Sequence, residues 1–192
     1  MDEMERYYKE SLLDKLCKEW KDLWRGAHGD KEKLMRLVLM QQSAPHFATY
    51  CYNGRGLTKE YCKREFKDYI NGRVFHDCDD VQGFTYAMYI DATGRKEMAL
   101  DVIHLLWCND LNVVIPKTRC NRLYVSNRST VSLTLDGYNR VSVYLFDEST
   151  LVVDDMDDES AVTVYCFSDD CKVVSGKFCF GKVNVFRKEL RL

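Results

Sequence analysis

The densest cluster of metal-capable side chains is His76-Asp77-Cys78-Asp79-Asp80. A His and a Cys two apart, flanked by carboxylates, could supply part of a zinc shell. A second pair, such as Cys-x-x-Cys, is missing, and His46 with Cys51 or Cys62 would have to be brought in by the fold. The segment therefore reads as a polar turn ahead of a strand beginning near Phe84, and no metal is assigned. A cysteine nucleophile needs a thiolate in contact with a base. Nine cysteines (Cys17, Cys51, Cys62, Cys78, Cys108, Cys120, Cys166, Cys171 and Cys179) and four histidines (His28, His46, His76 and His104) make chance proximity common. Cys166 continues the alternation of Val162 and Val164 and reads as a small buried hydrophobe. His104 sits inside Val102-Ile103-His104-Leu105-Leu106 and reads as a core or edge residue.

Two further stretches carry charge. Asp154-Asp155-Met156-Asp157-Asp158-Glu159 lacks the glycine and the ligand alternation of a calcium loop. It reads as a solvated turn and the most negative surface of the chain, a contact for a basic partner. Lys59 to Tyr69 interleaves cations with Tyr61, Phe66 and Tyr69, as a single-strand nucleic-acid binder would. The mixed-in acids and the helical spacing of the rings favour an ordinary amphipathic helix. Asn53-Gly54-Arg55-Gly56 lacks the Lys-Ser/Thr of a phosphate loop. Asn127-Arg128-Ser129 has a glycosylation pattern that a cytosolic chain would not use. No catalytic, cofactor-binding or metal-binding residue is assigned.

Composition sets the frame. The 192 residues are 46% hydrophobic, enough for a sizeable core in one domain or one with a small appendage. Lys+Arg at 28 against Asp+Glu at 30 gives a net charge of −2. That argues against a general nucleic-acid binder. The charged N-terminus is not a secretory signal, and apolar runs are far shorter than the ~20 residues that span a bilayer. A soluble, cytosolic chain with free thiols is expected.

The elements that position these residues fall into two regions, 1–110 (helical or mixed) and 111–192 (strands). Residues 4–25 predict a helix with Leu12, Leu13, Leu16, Trp20, Leu23 and Trp24 on one face. The two tryptophans either dock on the rest of the chain or meet a partner. A second helix spans Lys31 to Gln42, capped by Asp30. A third spans 59–70, capped by Thr58 and ended by Asn71-Gly72. Phe84 to Ile90 alternates as a strand, and Val102 to Trp107 is a strand or a short helix.

From residue 111 short apolar runs return about every ten residues. Their centres, Val113, Leu123, Leu133, Val143, Val153 and Val164, are spaced 10, 10, 10, 10 and 11. An antiparallel β-sandwich of hairpins is one solution. A β-solenoid, with two or three strands per coil, is the other and is preferred. Asn127-Arg128-Ser129-Thr130, Asp147-Glu148-Ser149-Thr150 and Asp158-Glu159-Ser160-Ala161 repeat a small hydroxyl at the start of strands, which suits stacked corners. The expected fold is thus α+β, a helical N-terminal part followed by a solenoid. Helices would cap one end. The other end, near Phe186–Leu192, carries Arg187, Lys188, Glu189 and Arg191, charges of the kind that blunt an edge.

Residues Ile115-Pro116-Lys117-Thr118, Tyr124-Val125-Ser126-Asn127, Leu135-Asp136-Gly137-Tyr138-Asn139, Tyr144-Leu145-Phe146-Asp147 and Lys188-Glu189-Leu190-Arg191-Leu192 resemble uncharacterised proteins of bacteriophages and mobile elements of gut bacteria. The resemblance covers mainly 110–192, with fainter echoes near 57–90. It implies a setting, the bacterial host cytoplasm or a virion, and no activity. The expected function is that of a non-enzymatic interaction or structural protein: a virion or assembly component, or an inhibitor of a host defence protein. Its partner would be a protein, self included, with nucleic acid and membrane disfavoured. Asp154, Asp155, Asp157, Asp158, Glu159, Trp20 and Trp24 are the candidate contact residues. The alternative is a hydrolase using a cysteine with His46, His76 or His104 between the two regions.

Overall fold

The computed structural model describes residues 3–13, 18–27, 29–42, 57–76, 84–116 and 120–188. Among the described residues four helices come first: α1 (Glu3–Leu13), α2 (Lys18–Gly26), α3 (Lys31–Gln42) and α4 (Lys59–Glu65). The single helix expected over 4–25 is thus described as two segments. Asp30 caps α3 as expected, its Oδ1 accepting the Lys33 N–H at 3.0 Å. Thr58 caps α4 by accepting the Tyr61 N–H at 3.3 Å. That helix ends at Glu65, five residues earlier than the pattern suggests, with Phe66 as its C-cap, and a 3-10 turn (Lys67–Tyr69) follows. The early stop lets Asn71, at φ 55°, reach the first long strand.

The helices bury one shared apolar cluster. Tyr7, Trp24, Met35, Leu39, Tyr61, Phe66 and Phe75 meet Met88, Ile90 and Leu106 from the strands. Trp24 is 4% exposed. Its ring centroid lies 5.8 Å from that of Tyr7 and 5.3 Å from that of Tyr8. Trp20 packs half-buried on the same cluster. Of the two readings of the tryptophan pair, docking on the rest of the chain holds for Trp24, which is committed to the core and drops out of the candidate contact residues.

The strands form a β-solenoid. They are β1 (Phe75–His76), β2 (Thr85–Ile90), β3 (Gly94–Glu97), β4 (Val102–Leu106), β5 (Leu111–Ile115), β6 (Cys120–Ser126), β7 (Thr130–Leu135), β8 (Arg140–Leu145), β9 (Thr150–Met156), β10 (Ala161–Cys166), β11 (Lys172–Cys179) and β12 (Lys182–Arg187). One sheet runs β1-β2-β4-β6-β8-β10-β12 and the other β11-β9-β7-β5-β3. Each coil therefore spends one strand in each sheet, and about five coils stack. Pairing is parallel except for β1, which is antiparallel to β2. The hairpin sandwich is thereby excluded. The ladder also starts at Thr85, ahead of the composition change at residue 111. Strand β2 is the strand read over Phe84 to Ile90, and β4 settles Val102 to Trp107 as a strand. Strand β4 lacks alternation because its outward residues Val102 and Leu106 are packed in apolar clusters as well as its inward ones. All five residues of β4 are buried.

In-register stacking puts like residues in columns. Ile103, Leu123, Val143, Val164 and Val185 align in one sheet. Val113, Leu133 and Val153 align in the other. The two sets of inward columns make one continuous core. The outer positions of the five-stranded sheet are mixed, Asn112, Ser132 and Thr134 lying among Val114, Val152 and Val174, and Thr134 donates to Asn112 at 3.3 Å.

The corners hold the coils in step. Asp91, Trp107, Asn127 and Asp147 occupy equivalent corner positions with φ between 51° and 56°. Asn and Asp tolerate this left-handed conformation, whereas Trp107 is an outlier there. Buried serines bridge neighbouring coils. The Cys108 N–H donates to Ser129 Oγ at 3.0 Å and the Ser129 N–H to Ser149 Oγ at 3.1 Å. At the opposite corner the Asn139 N–H donates to Ser160 Oγ at 3.0 Å, and Ser160 Oγ donates to Gly137 O at 2.9 Å. Each hydroxyl satisfies a backbone donor that no ladder bond reaches. Ser129→Ala and Ser160→Ala should therefore each cost about 1–3 kcal/mol by stranding a buried N–H. Ser132→Ala, on the outer face, should stay within about 0.5 kcal/mol. Urea unfolding of the three variants checks this.

Candidate functional site

The last coil differs from the others. Seven strands in one sheet face five in the other, and β12 begins a coil that no described strand completes. Its inward column continues as Val183 and Val185, yet Val185 is 46% exposed. Parallel pairing fixes which backbone groups are spent. The Lys182 and Lys188 N–H groups donate to Ser160 O and Cys166 O. Backbone groups alternate sides along a strand, so Val183, Val185 and Arg187 present theirs to the side away from β10. None of the described residues pairs there. Strand β11 is likewise the outer strand of its sheet.

Two glycines bring these strands into place. Strand β11 bulges between Ser175 and Phe178. A Cβ on Gly176 would lie 2.8 Å from Asp154 Cα. A Cβ on Gly181, in the turn into β12, would lie 2.3 Å from Asp157 O and 2.5 Å from Ser160 O. Only glycine lets the chain pass so close to the corner beneath it.

The last two strands carry apolar and basic side chains together, Val174 on the outer face of one sheet and Phe186 on that of the other, beside the exposed Asp154 and Asp155 of β9. Val174, Phe178, Phe180, Val185 and Phe186 are between 46% and 69% exposed. Lys172, Lys177, Lys182, Arg187 and Lys188 punctuate them, and no Asp or Glu occurs from Cys171 through Lys188. Arg187 is tethered to Asp169 O at 3.3 Å. Lys188 Nζ sits 4.5 Å above the Tyr165 ring.

Phe186 is also the last rung of an aromatic column on the outer face of the seven-stranded sheet. Centroid separations are 4.8 Å for His104–Tyr124, 4.7 Å for Tyr124–Tyr144, 5.3 Å for Tyr144–Tyr165 and 5.7 Å for Tyr165–Phe186. The rungs match the ~4.8 Å separation of paired strands. Phe146 and Phe167 stack beside them at 4.8 Å. The column went unread in the sequence. Its signal was there, in the spacing 20, 20, 21 and 21 from His104 to Phe186.

The residues singled out from sequence are scattered. His104 is fully buried in that column, and burial pushes its imidazole down to about 3, so it is neutral at physiological pH. Burial pushes the Cys108 thiol up to about 11, away from a thiolate. Cys166 and Cys171 are buried next to one another, and the thiol of Cys171 is raised by that neighbour and by burial. His76 is exposed on β1, while His46 and Asp77 to Asp80 lie outside the described residues. Among the described residues no three His, Cys, Asp or Glu side chains converge as a metal site. Asp154, Asp155, Asp158 and Glu159 are exposed on or beside β9, and Asp157 caps its own turn by accepting the Ser160 N–H at 2.9 Å. A groove of about 880 Å³ lies among the helices, lined in part by Tyr8, Trp24, Tyr61 and Phe66. Its Lys31 and Glu65 are paired with each other at 3.0 Å.

Gly181→Ala should cost roughly 1–3 kcal/mol by overpacking backbone against backbone. The loss should appear as lowered hydrogen-exchange protection in β12. His104 gives a separate test. An unfolded histidine titrates near 6.5, so below that pH the unfolded state takes up a proton that the buried imidazole refuses. Stability must fall as pH drops from 6.5 toward 3, by about 2 kcal/mol at pH 5 relative to pH 8. In His104→Phe this share of the pH dependence should vanish, as urea titrations at the two pH values would show.

No family model, curated protein or solved structure matches the chain.

Proposed function

We propose that this protein acts by binding rather than by chemistry, as a stiff scaffold whose β11–β12 end takes up a strand of another protein. The observation that carries this reading is the coincidence, at one end, of unspent strand edges with exposed Val174, Phe178, Phe180, Val185 and Phe186. An unpaired edge is a template for an added strand, the main chain giving affinity and alternate side chains giving selectivity. The described histidine at the junction of the two regions, His104, is neutral and stacked, which favours this reading over the hydrolase alternative. The phage or mobile-element setting belongs to the same proposal. Five cations would set the ends of two copies against each other, which supports an inhibitor of a host protein over a self-assembling component.

Selection of random short peptides on the full chain should yield ligands that bind through this end. Val185→Pro removes an outward N–H without touching a bond to β10, and it should weaken such ligands by about tenfold or more, roughly 1.4 kcal/mol. Leu23→Ser, an exposed apolar residue on α2, should leave them unchanged. Ligands indifferent to Val185→Pro, with the variant's melting curve intact, would refute the proposal.

A further inference from the structure

We infer that the strand taken up at this end is acidic and carries an aromatic residue in register with Phe186. The inference rests on the strand-addition reading and names its occupant. Three columns end on β12, and each states what the next rung must be. The inward column through Val162 and Val183, and that through Val164 and Val185, ask for aliphatic residues two apart. The outward column His104–Tyr124–Tyr144–Tyr165–Phe186 ends on a ring that is 51% exposed and asks for another ring about 5 Å away. Charge adds a further constraint. Lys182 and Arg187 flank β12 on the same strand, Lys188 follows, and β11 adds Lys172 and Lys177. Carboxylates on the incoming strand would meet these cations on both flanks of its apolar centre.

The same features disfavour other occupants. A second copy would bring five like charges to the same edge, and like charges directly opposite destabilise a strand pair. A nucleic acid would satisfy the cations but not the outward N–H and C=O groups of Val183, Val185 and Arg187, nor the two aliphatic columns. The chain displays the required alternation in β10, Ala161-Val162-Thr163-Val164-Tyr165-Cys166, the strand on which β12 rests. An acid-flanked version of it is the simplest probe.

The test uses the full chain and fluorescence polarisation at low salt. The probe is the labelled peptide acetyl-Glu-Val-Thr-Val-Tyr-Glu-Asp-amide. Two relatives accompany it, one with Lys at every acidic position and one with the same residues scrambled. The acidic peptide should bind at least about tenfold more tightly than either, and the gap should narrow as salt screens the charges. The double variant Lys182→Glu/Arg187→Glu should invert the preference, which a merely destabilised protein would not do. Phe186→Ser should weaken the acidic peptide several-fold. Replacing the peptide's Tyr by Ser should add nothing further in that variant. Equal binding of acidic and basic peptides, both lost in Val185→Pro, would overturn the acidic assignment and leave strand addition standing. Binding of the scrambled peptide or a single-stranded DNA oligomer as tight as that of the probe would overturn both. So would binding that survives Val185→Pro. Dimers that form through this end and exclude the peptide would identify a second copy as the occupant. A tenfold gain in affinity on deleting residues 189–192 would identify the chain's own tail. Either result overturns the inference.

Discussion

Everything in this molecule depends on the register of one coil on the next. A step of 20 or 21 residues keeps Leu133 over Val113 and Tyr144 over Tyr124. Sliding a coil by one residue would exchange every inward valine or leucine for an outward serine, threonine or tyrosine. The backbone ladder alone does not choose between those registers. The corners do. The left-handed residues Asp91, Asn127 and Asp147 fix where the chain leaves the seven-stranded sheet, and Asp147 receives the Asn127 N–H at 2.7 Å. Ser129 and Ser160 then tie each corner to its neighbour through groups that the strands leave unpaired.

This division of labour explains what could be read from the sequence. Two strands per coil, each with its corner, give the ten-residue rhythm of Val113, Leu123, Leu133, Val143 and Val153. The repeated hydroxyls at Ser129, Ser149 and Ser160 are the side chains that bridge coils, so the preference for a solenoid rested on the residues that decide it. The strand at Phe84 to Ile90 is legible and Val102 to Trp107 reads as either strand or helix, but neither reads as a rung of the solenoid, because their outer faces are covered and carry apolar residues. Tyr86 and Val102 are then apolar where the same column later carries Arg122, Ser142 and Thr163, and Leu106 is apolar where the next strand carries Ser126. The open end was illegible for another reason. Val183-x-Val185 has the same alternation as Val162-x-Val164, and nothing local says whether another strand follows. Only the sheet order shows that, among the described residues, no strand pairs with the outer side of β12.

The two outer faces serve different ends. That of the five-stranded sheet mixes Asn112, Ser132 and Thr134 with Val114, Val152 and Val174 and, among the described residues, carries no ring column. That of the seven-stranded sheet carries stacked rings whose cover changes along the stack. Near β2 and β4 the helices lie over it, and Tyr124 is 2% exposed. By Phe186 half the ring is open. The helical part is thus fused to one end of an aromatic stripe, and the basic strands expose the other. The ion pairs of Asp91 with Lys59 and Lys63, both at 2.7 Å, add a polar tie between α4 and the first corner.

The clamp at Asn71 has a mechanical consequence. Its side chain donates to Ile90 O and accepts from the Ile90 N–H, at 3.0 and 2.8 Å, imitating one more strand beside β2. In a stack where each repeat touches only its neighbours, stability is shared between adjacent units. The first coil is held from both sides and the last from one. Thermal opening therefore has a direction, peeling from β12 backward while the helical end stays zipped. A load pulling on β12 in line with the stack would unravel the protein one rung at a time, and a chain seated there would move the first tooth of the zipper one place outward.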